Sequence, residues 1–225
     1  MTAPSQLDAT RWASSIEDLA RVGASAVSSG LVVATGGNLS VRAVRRGGGP
    51  ETFLITAAGS HLDRLDATTI TELRMDGSVV AGPPPSTEWR LHQRTYGLRP
   101  DVNAIVHVHP AYAVLLDALE RPIRLLTLDH VAYVPKIARI PFHPNGSDAL
   151  ADAAAEAAAE CDAVILAHHG CSALGPSLDT AYRVAVNLES AAEATYRMLV
   201  LGDETTEFPK HLRANAIHRE TPPAP

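Results

Sequence analysis

The run Ala104 to Pro110, A-I-V-H-V-H-P, constrains this chain more than any other. Along an extended strand the side chains alternate between faces, so His107 and His109 project to one side while Val106 and Val108 project into apolar packing on the other. A second apolar run, Ala163 to Gly170, A-V-I-L-A-H-H-G, also ends in histidine before a glycine turns the chain. Neutral imidazole nitrogens bind zinc at about 2 Å, and a catalytic zinc keeps three protein ligands plus one open position. His107, His109 and either His168 or His169 meet that count. One histidine on an apolar strand is ordinarily a hydrogen-bonded residue with no metal; two at spacing two, with another closing a second strand, shift the balance towards a metal site.

The remaining composition narrows the class. A length of 225 residues with 46% hydrophobic and 20% charged residues fits one domain spanning residues 1–225 with its own core. The formal charge of −6 argues against nucleic acid or an anionic membrane as partner, since both call for a basic surface. Cys161 and Cys171 are too few for a disulfide scaffold and fit a reduced compartment. No apolar run approaches the roughly 18 residues of a membrane span, and M-T-A-P-S-Q-L-D lacks a basic-then-apolar secretion pattern. A cytoplasmic location is the expectation.

Taken in order, residues 6–29 carry Leu7, Trp12, Ile16, Leu19 and Val22 at helical spacing, predicting an amphipathic helix ending near Gly30. Leu31 to Val44 is strand-like on both sides of T-G-G-N, where Gly36 and Gly37 let backbone N–H groups converge on an anion and Asn38 and Ser40 add donors. Gly-Gly-Asn is also ordinary turn chemistry. Residues 45–50, R-R-G-G-G-P, form a loop tip, followed by a strand T-F-L-I-T and a second glycine turn at Gly59. Asp76-Gly77 marks a hairpin within 70–82. Ser86-Thr87-Glu88-Trp89 opens a helix to about Leu98, with Ser86 or Thr87 as its cap and an anion-favouring amino end. A short apolar helix follows at 111–119, and 122–144 reads as extended and proline-punctuated. Helices are expected over 147–160 and 178–201, and the tail 204–225 reads as polar and frayed.

Those motifs, in the order T-G-G-N-L-S-V-R, L-I-T-A-A-G, P-S-T-E-W-R-L-H, V-H-V-H and L-A-H-H-G, resemble the class II aldolase and adducin head family over roughly residues 19–199. The resemblance implies a three-layer α/β/α fold with a central, mainly antiparallel sheet, and a homotetramer with sites at subunit contacts. It also implies a Zn2+ enzyme, with Mn2+ or Co2+ as substitutes. By motif, the ligands fall on His107, His109 and His169, the catalytic carboxylate on Glu88, and the phosphate cradle on Gly37, Asn38, Gly59, Ser86 and Thr87. The implied reaction is reversible retro-aldol cleavage of a ketose 1-phosphate, of the L-fuculose 1-phosphate kind, to dihydroxyacetone phosphate and an aldehyde. The metal would stabilise the enediolate and Glu88 would move the proton on carbon. The chain departs from the family at Ala58, where a threonine is usual, and at the tyrosine that protonates the aldehyde, for which His130 and Tyr133 are the nearest candidates. Within the family, 4-epimerase, methylthioribulose-phosphate dehydratase and keto-acid-phosphate decarboxylase activities are the alternatives. Outside catalysis, the alternative is a metal-free adducin-like head.

Overall fold

In the computed structural model, which describes residues 5–43 and 51–215, the strand-forming runs pair into one eight-stranded sheet. The glycine-rich loop at 45–50 and the last residues of the tail lie outside the described residues. The first half of the sheet is a meander: β1 (Asn38–Ala43), β2 (Thr52–Thr56), β3 (Ile70–Arg74) and β4 (Val79–Ala81) pair antiparallel in sequence. The expected Asp76-Gly77 turn closes the last hairpin, with Gly77 N–H donating to Arg74 O. The strand β5 (Ala104–Val108) adds to the other side of β1 and pairs antiparallel with β8 (Gly170–Gly175). β7 (Ala163–Leu166) pairs antiparallel with β8 and parallel with β6 (Ile137–Ile140), the one parallel pair among the eight strands of the described residues.

Alternation along these strands divides the core into two apolar layers. Leu54, Val106, Ala163, Ile165 and Ala173 pack with α1 (Ala13–Ser28), α3 (Ala111–Ala118) and α6 (Leu178–Val200) on one face. Phe53, Ile55, Ile105, Val164 and Leu174 pack with α2 (Trp89–Leu98) and α5 (Asp148–Ala157) on the other. Both faces of the central strands are therefore buried, and the expected three-layer α/β/α build with a mainly antiparallel sheet stands.

The helices start and stop where the local chemistry demands. Ser147 and Ser177 accept N–H groups from Leu150 and Thr180 at the starts of α5 and α6. α1 closes with Gly30 N–H donating to Val27 O and Leu31 N–H to Ala26 O, the paired bonds of a Schellman stop.

Several expectations need correction. α1 begins at Ala13, because Asp8 captures the N–H groups of Thr10 and Arg11 in a separate turn. Leu31 to Gly37 is loop, although Leu31 and Val32 are buried. The segment 122–144 contains a helix, α4 (Leu128–Tyr133), capped by Thr127, as well as β6. β8 was not anticipated as a strand. The part of the tail that is described is held down: Phe208 N–H donates to Leu125 O at 2.7 Å, and the buried Arg124 binds Asp203 and Thr206 O.

Candidate metal centre

The strand β5 places His107 on the same face as Ile105, towards α2, and β1 lies beside it with Asn38 opposite His107 and Ser40 opposite Ile105. The approach of the T-G-G-N turn to β5 leaves no room for a side chain at Gly37. A Cβ there would sit 2.6 Å from His107 O, and its φ of +75° is open to glycine at no steric cost. On the other edge of β5, at the same end, Gly170 is equally tight, its hypothetical Cβ 2.4 Å from Val108 O and 2.6 Å from His109 Cδ2.

The strand pattern by itself left His168 and His169 open as third ligand, the family motif falls on His169, and it is His169 that joins the cluster able to hold a metal ion. His168 adopts a left-handed φ of +57° in the turn between β7 and β8, with its N–H donating to the buried Asp117 Oδ2 at 2.9 Å. His168 is exposed, while His169 turns inward to His107 and His109 with ring centroids 5.0 Å from each.

Glu88 completes the group from the opposite side. Ser86 N–H donates to Thr56 O and Ala58 N–H to Pro84 O, so the segment before α2 is pinned to the end of β2. The helix begins at Trp89 with Glu88 in the cap position, and Ser86 Oγ accepts the Glu88 N–H at 3.3 Å. Glu88 Oε2 lies 3.0 Å from His107 Nε2, and Oε1 lies 3.4 Å from His169 Nε2. One donor atom from each of Glu88, His107, His109 and His169 falls within a 4.8 Å cluster.

The donor set fits a divalent cation. His107 Nδ1–H donates to Cys171 O at 3.0 Å, which fixes the tautomer and leaves the Nε2 lone pair facing inward. His109 Nε2 faces that same lone pair at 3.2 Å, and Glu88 Oε1 is buried without a hydrogen-bond partner. Inward-facing imidazole nitrogens and an unsatisfied carboxylate oxygen need a positive centre, and this combination of N and O donors suits zinc and its neighbours. Burial, reinforced by His107 and His169, pushes His109 down to about 4; burial also lowers His169. Both rings are therefore neutral and able to ligate at neutral pH. Burial pushes the Glu88 carboxyl up, but in the metal-free cluster a proton on His107 Nε2, with its charge and hydrogen bond, and with His169 and Asn38 adding, outweighs it and holds the group well below the usual carboxylate range; a bound cation would take the place of that proton and leave Nε2 free to ligate.

The other site residues divide. Gly37, Gly59, Ser86 and Thr87 sit in turns around the amino end of α2, with Gly59 and Thr87 exposed and Ser86 buried. Thr56 does not replace the missing hydroxyl at Ala58; it is buried and accepts Leu39 N–H at 3.3 Å. Asn38 and Ser40, read as anion donors, are turned inward instead. The Asn38 amide spans Glu88 and His92, and the Ser40 hydroxyl spans His92 and Tyr96. Neither acid candidate belongs to the cluster: His130 is buried, with Nδ1 accepting Leu126 N–H and Nε2 against Ser190 Oγ, and Tyr133 lies under the Arg183 guanidinium. His92 and Tyr96 escaped the sequence reading. Their signal was the helical spacing 88, 92, 96 facing the strand spacing 38, 40.

A mainly antiparallel α/β/α sheet bringing three imidazoles and a carboxylate into one cluster fits an enzyme that works with a divalent metal. Residues 17–196 match the Class II Aldolase and Adducin N-terminal domain, and the chain belongs to that family. It is 34% identical over 174 residues to the L-fuculose phosphate aldolase of Methanococcus maripaludis, covering 76% of this chain and 90% of the relative. It is 30% identical over 196 residues to the 3-oxo-tetronate 4-phosphate decarboxylase of Pectobacterium atrosepticum, covering 85% and 86%. The solved L-fuculose-1-phosphate aldolase of Thermus thermophilus superposes with a TM-score of 0.74 at 29% identity, covering 88% of this chain and 99% of that one. The expectation of an enzyme, a lyase of the class II aldolase type, holds. No helix among the described residues is long and apolar enough to cross a membrane.

Proposed function

We propose that the chain is a zinc-dependent aldehyde-lyase that cleaves a ketose 1-phosphate of the L-fuculose 1-phosphate kind to dihydroxyacetone phosphate and an aldehyde. The observation that carries the reading is the convergence of Glu88 on His107, His109 and His169 in one cluster. His107, His109 and His169 would hold the ion, with Mn2+ or Co2+ as substitutes, and the bound ion supplies Lewis-acid stabilisation of the charge left when the carbon–carbon bond breaks. Glu88 carries the proton to and from carbon in a pocket screened from water. Gly37, Gly59, Ser86 and Thr87 bind the phosphate through backbone and hydroxyl donors at the amino end of α2, with Asn38 contributing its backbone from the same turn. This local site explains how a chain of net charge −6 takes an anionic substrate. A cytoplasmic homotetramer with sites at subunit contacts completes the proposal, and the neighbouring subunit would then supply the acid that neither His130 nor Tyr133 brings to the cluster.

One relative favours a second reading. The decarboxylase acts, by its name, on a keto-acid phosphate, and decarboxylation next to a carbonyl leaves the same kind of charge for a metal to stabilise. The test is a panel of ketose phosphates, their unphosphorylated analogues and keto-acid phosphates, assayed for aldehyde and for carbon dioxide, with metal content measured in parallel. About one divalent ion per chain and aldehyde release from a ketose 1-phosphate are expected. Glu88→Gln should keep the metal and lose carbon-proton exchange on dihydroxyacetone phosphate; exchange at the wild-type rate in that variant would remove Glu88 from its role. Carbon dioxide without aldehyde would select the second reading.

A further inference from the structure

Glu88 is the end of a buried chain of hydrogen bonds that runs back between α2 and β1. Asn38 Nδ2 reaches Glu88 Oε2 at 3.0 Å, and Asn38 Oδ1 faces His92 Nε2 at 2.5 Å. Ser40 Oγ lies 2.6 Å from His92 Nδ1 and 2.6 Å from the Tyr96 hydroxyl. Asn38 is 3% exposed, Tyr96 1%, and Ser40 and His92 0%, so bulk water has no access to these groups.

The proton positions follow from one constraint. An ionised carboxylate only accepts, so Asn38 must turn its NH2 to Glu88 and its carbonyl to His92. His92 then donates from Nε2 and accepts the Ser40 hydroxyl proton at Nδ1, while Ser40 Oγ accepts from the Tyr96 hydroxyl. Every donor points towards Glu88, and hydrogen bonds in series polarise one another. Burial, with His107, pushes His92 down to about 3, so the ring stays neutral as this arrangement demands; burial pushes the Tyr96 phenol up. The other carboxylate oxygen, Oε1, is buried and makes no hydrogen bond.

We propose that His92 is a positioning residue: by donating from Nε2 it holds the Asn38 amide in the orientation that pins Glu88 Oε2, and so reserves Oε1 for the reacting proton. This rests on the role proposed above for Glu88. In that step the substrate C–H bond breaks, its electron pair stays on the substrate, and the proton moves to Oε1. Removing the His92 donor frees the Asn38 amide to flip, which would set its carbonyl against a carboxylate with no proton between them. A histidine that merely filled space would be replaceable by an apolar residue of similar size.

Two experiments on the full chain test this. The first is 15N NMR of the labelled protein, stripped of metal with a chelator, which reads the His92 tautomer; a ring protonated at Nε2 and bare at Nδ1 is expected. The second compares His92→Leu with His92→Gln in zinc-loaded enzyme, scoring zinc content, KM and kcat for carbon-proton exchange on dihydroxyacetone phosphate. His92→Leu should lose about 10- to 100-fold in kcat, the usual cost of a lost outer partner, with zinc content and KM unchanged. His92→Gln, whose amide donates from the Nε2 position, should recover most of that loss. A proton on Nδ1, wild-type kcat in a folded His92→Leu, or equal losses in both variants would each overturn the proposal. If His92→Leu does not fold, the tautomer and the Gln variant still decide. Wild-type enzyme that exchanged no carbon proton would sink the Glu88 role and the Oε1 assignment with it, whereas the tautomer tests the relay by itself.

Discussion

Gly170→Ala is a single methyl added at the point where β8 meets the metal strand, and its cost can be worked from the contacts. The new Cβ would lie 2.4 Å from Val108 O and 2.6 Å from His109 Cδ2, where ordinary contact begins at 3.4 Å. Val108 O belongs to the strand backbone and cannot rotate away, so β5 must retreat by about 1 Å or the His109 ring must give. Overpacking of this kind costs about 1–3 kcal/mol. For a chain of this size that is a fall in Tm of about 2–12 °C. The effect on metal should be larger, because workable ligand distances span about 0.2 Å either way and His109 would be displaced several times that far. A fall in zinc affinity of at least about tenfold is expected. Calorimetric unfolding and zinc titration of chelator-stripped protein read the two effects separately. Gly97→Ala is the control: Gly97 lies in α2 with nothing within 4 Å of an added Cβ, so the change should raise stability by about 0.5–1 kcal/mol and leave zinc binding alone. Wild-type zinc affinity in Gly170→Ala would refute the claim that this close approach holds His109 in place.

Two more outcomes follow from groups outside the ligand set. Asp117→Ala removes the acceptor of His168 N–H, a loss of about 1–3 kcal/mol for a buried partner, and should loosen the turn that aims His169. The His168 amide should then exchange hydrogen faster and zinc bind more weakly, while unchanged exchange would show that Asp117 does not hold the turn. For pH, His92 stays neutral in the fold down to about 3 but titrates near its ordinary 6.5 when unfolded. Its titration therefore leaves stability unchanged above pH 6.5 and destabilises the fold by about 1.4 kcal/mol per pH unit as pH falls from 6.5 towards 3, because only the unfolded chain takes up the proton. Urea unfolding of metal-free wild type and His92→Gln should show the wild type losing stability more steeply between about pH 6.5 and 4.5; parallel curves would contradict the assignment.

What could be read from the sequence was whatever a single periodicity encodes. His107 and His109 share a face because strands repeat every two residues, and the glycine turns, the Asp76-Gly77 hairpin and the long α6 stripe follow from equally local rules. β8 escaped because G-C-S-A-L-G is short, small and buried on both sides, with no alternation to mark it. α4 escaped because prolines on both sides made the segment look extended, while Thr127 supplied a cap that only the folded backbone reveals. Asn38 and Ser40 were assigned to an anion for a related reason: beside glycines, polar side chains read as ligand donors. Their use depends on His92 and Tyr96, which lie more than fifty residues away in sequence and reach them only when α2 covers β1.

The third candidate ligand shows where the residues by themselves stop: the family motif points to His169, but the pattern of imidazoles does not. Histidines 168 and 169 are adjacent and chemically identical, so no spacing rule on β7 separates them. The difference is conformational: a left-handed residue is uncommon outside glycine, and His168 occupies that region with its N–H held by Asp117. That reversal sends the His168 side chain outward and brings His169 over β5, while Gly170 immediately afterwards restores strand pairing at a distance that excludes any side chain. Which of the two histidines joins the cluster is thus set by a carboxylate on α3 and a missing Cβ on β8. Both lie outside the pattern of imidazoles that made the metal site visible, and both must hold for three rings drawn from a strand, its end and a turn to face one ion.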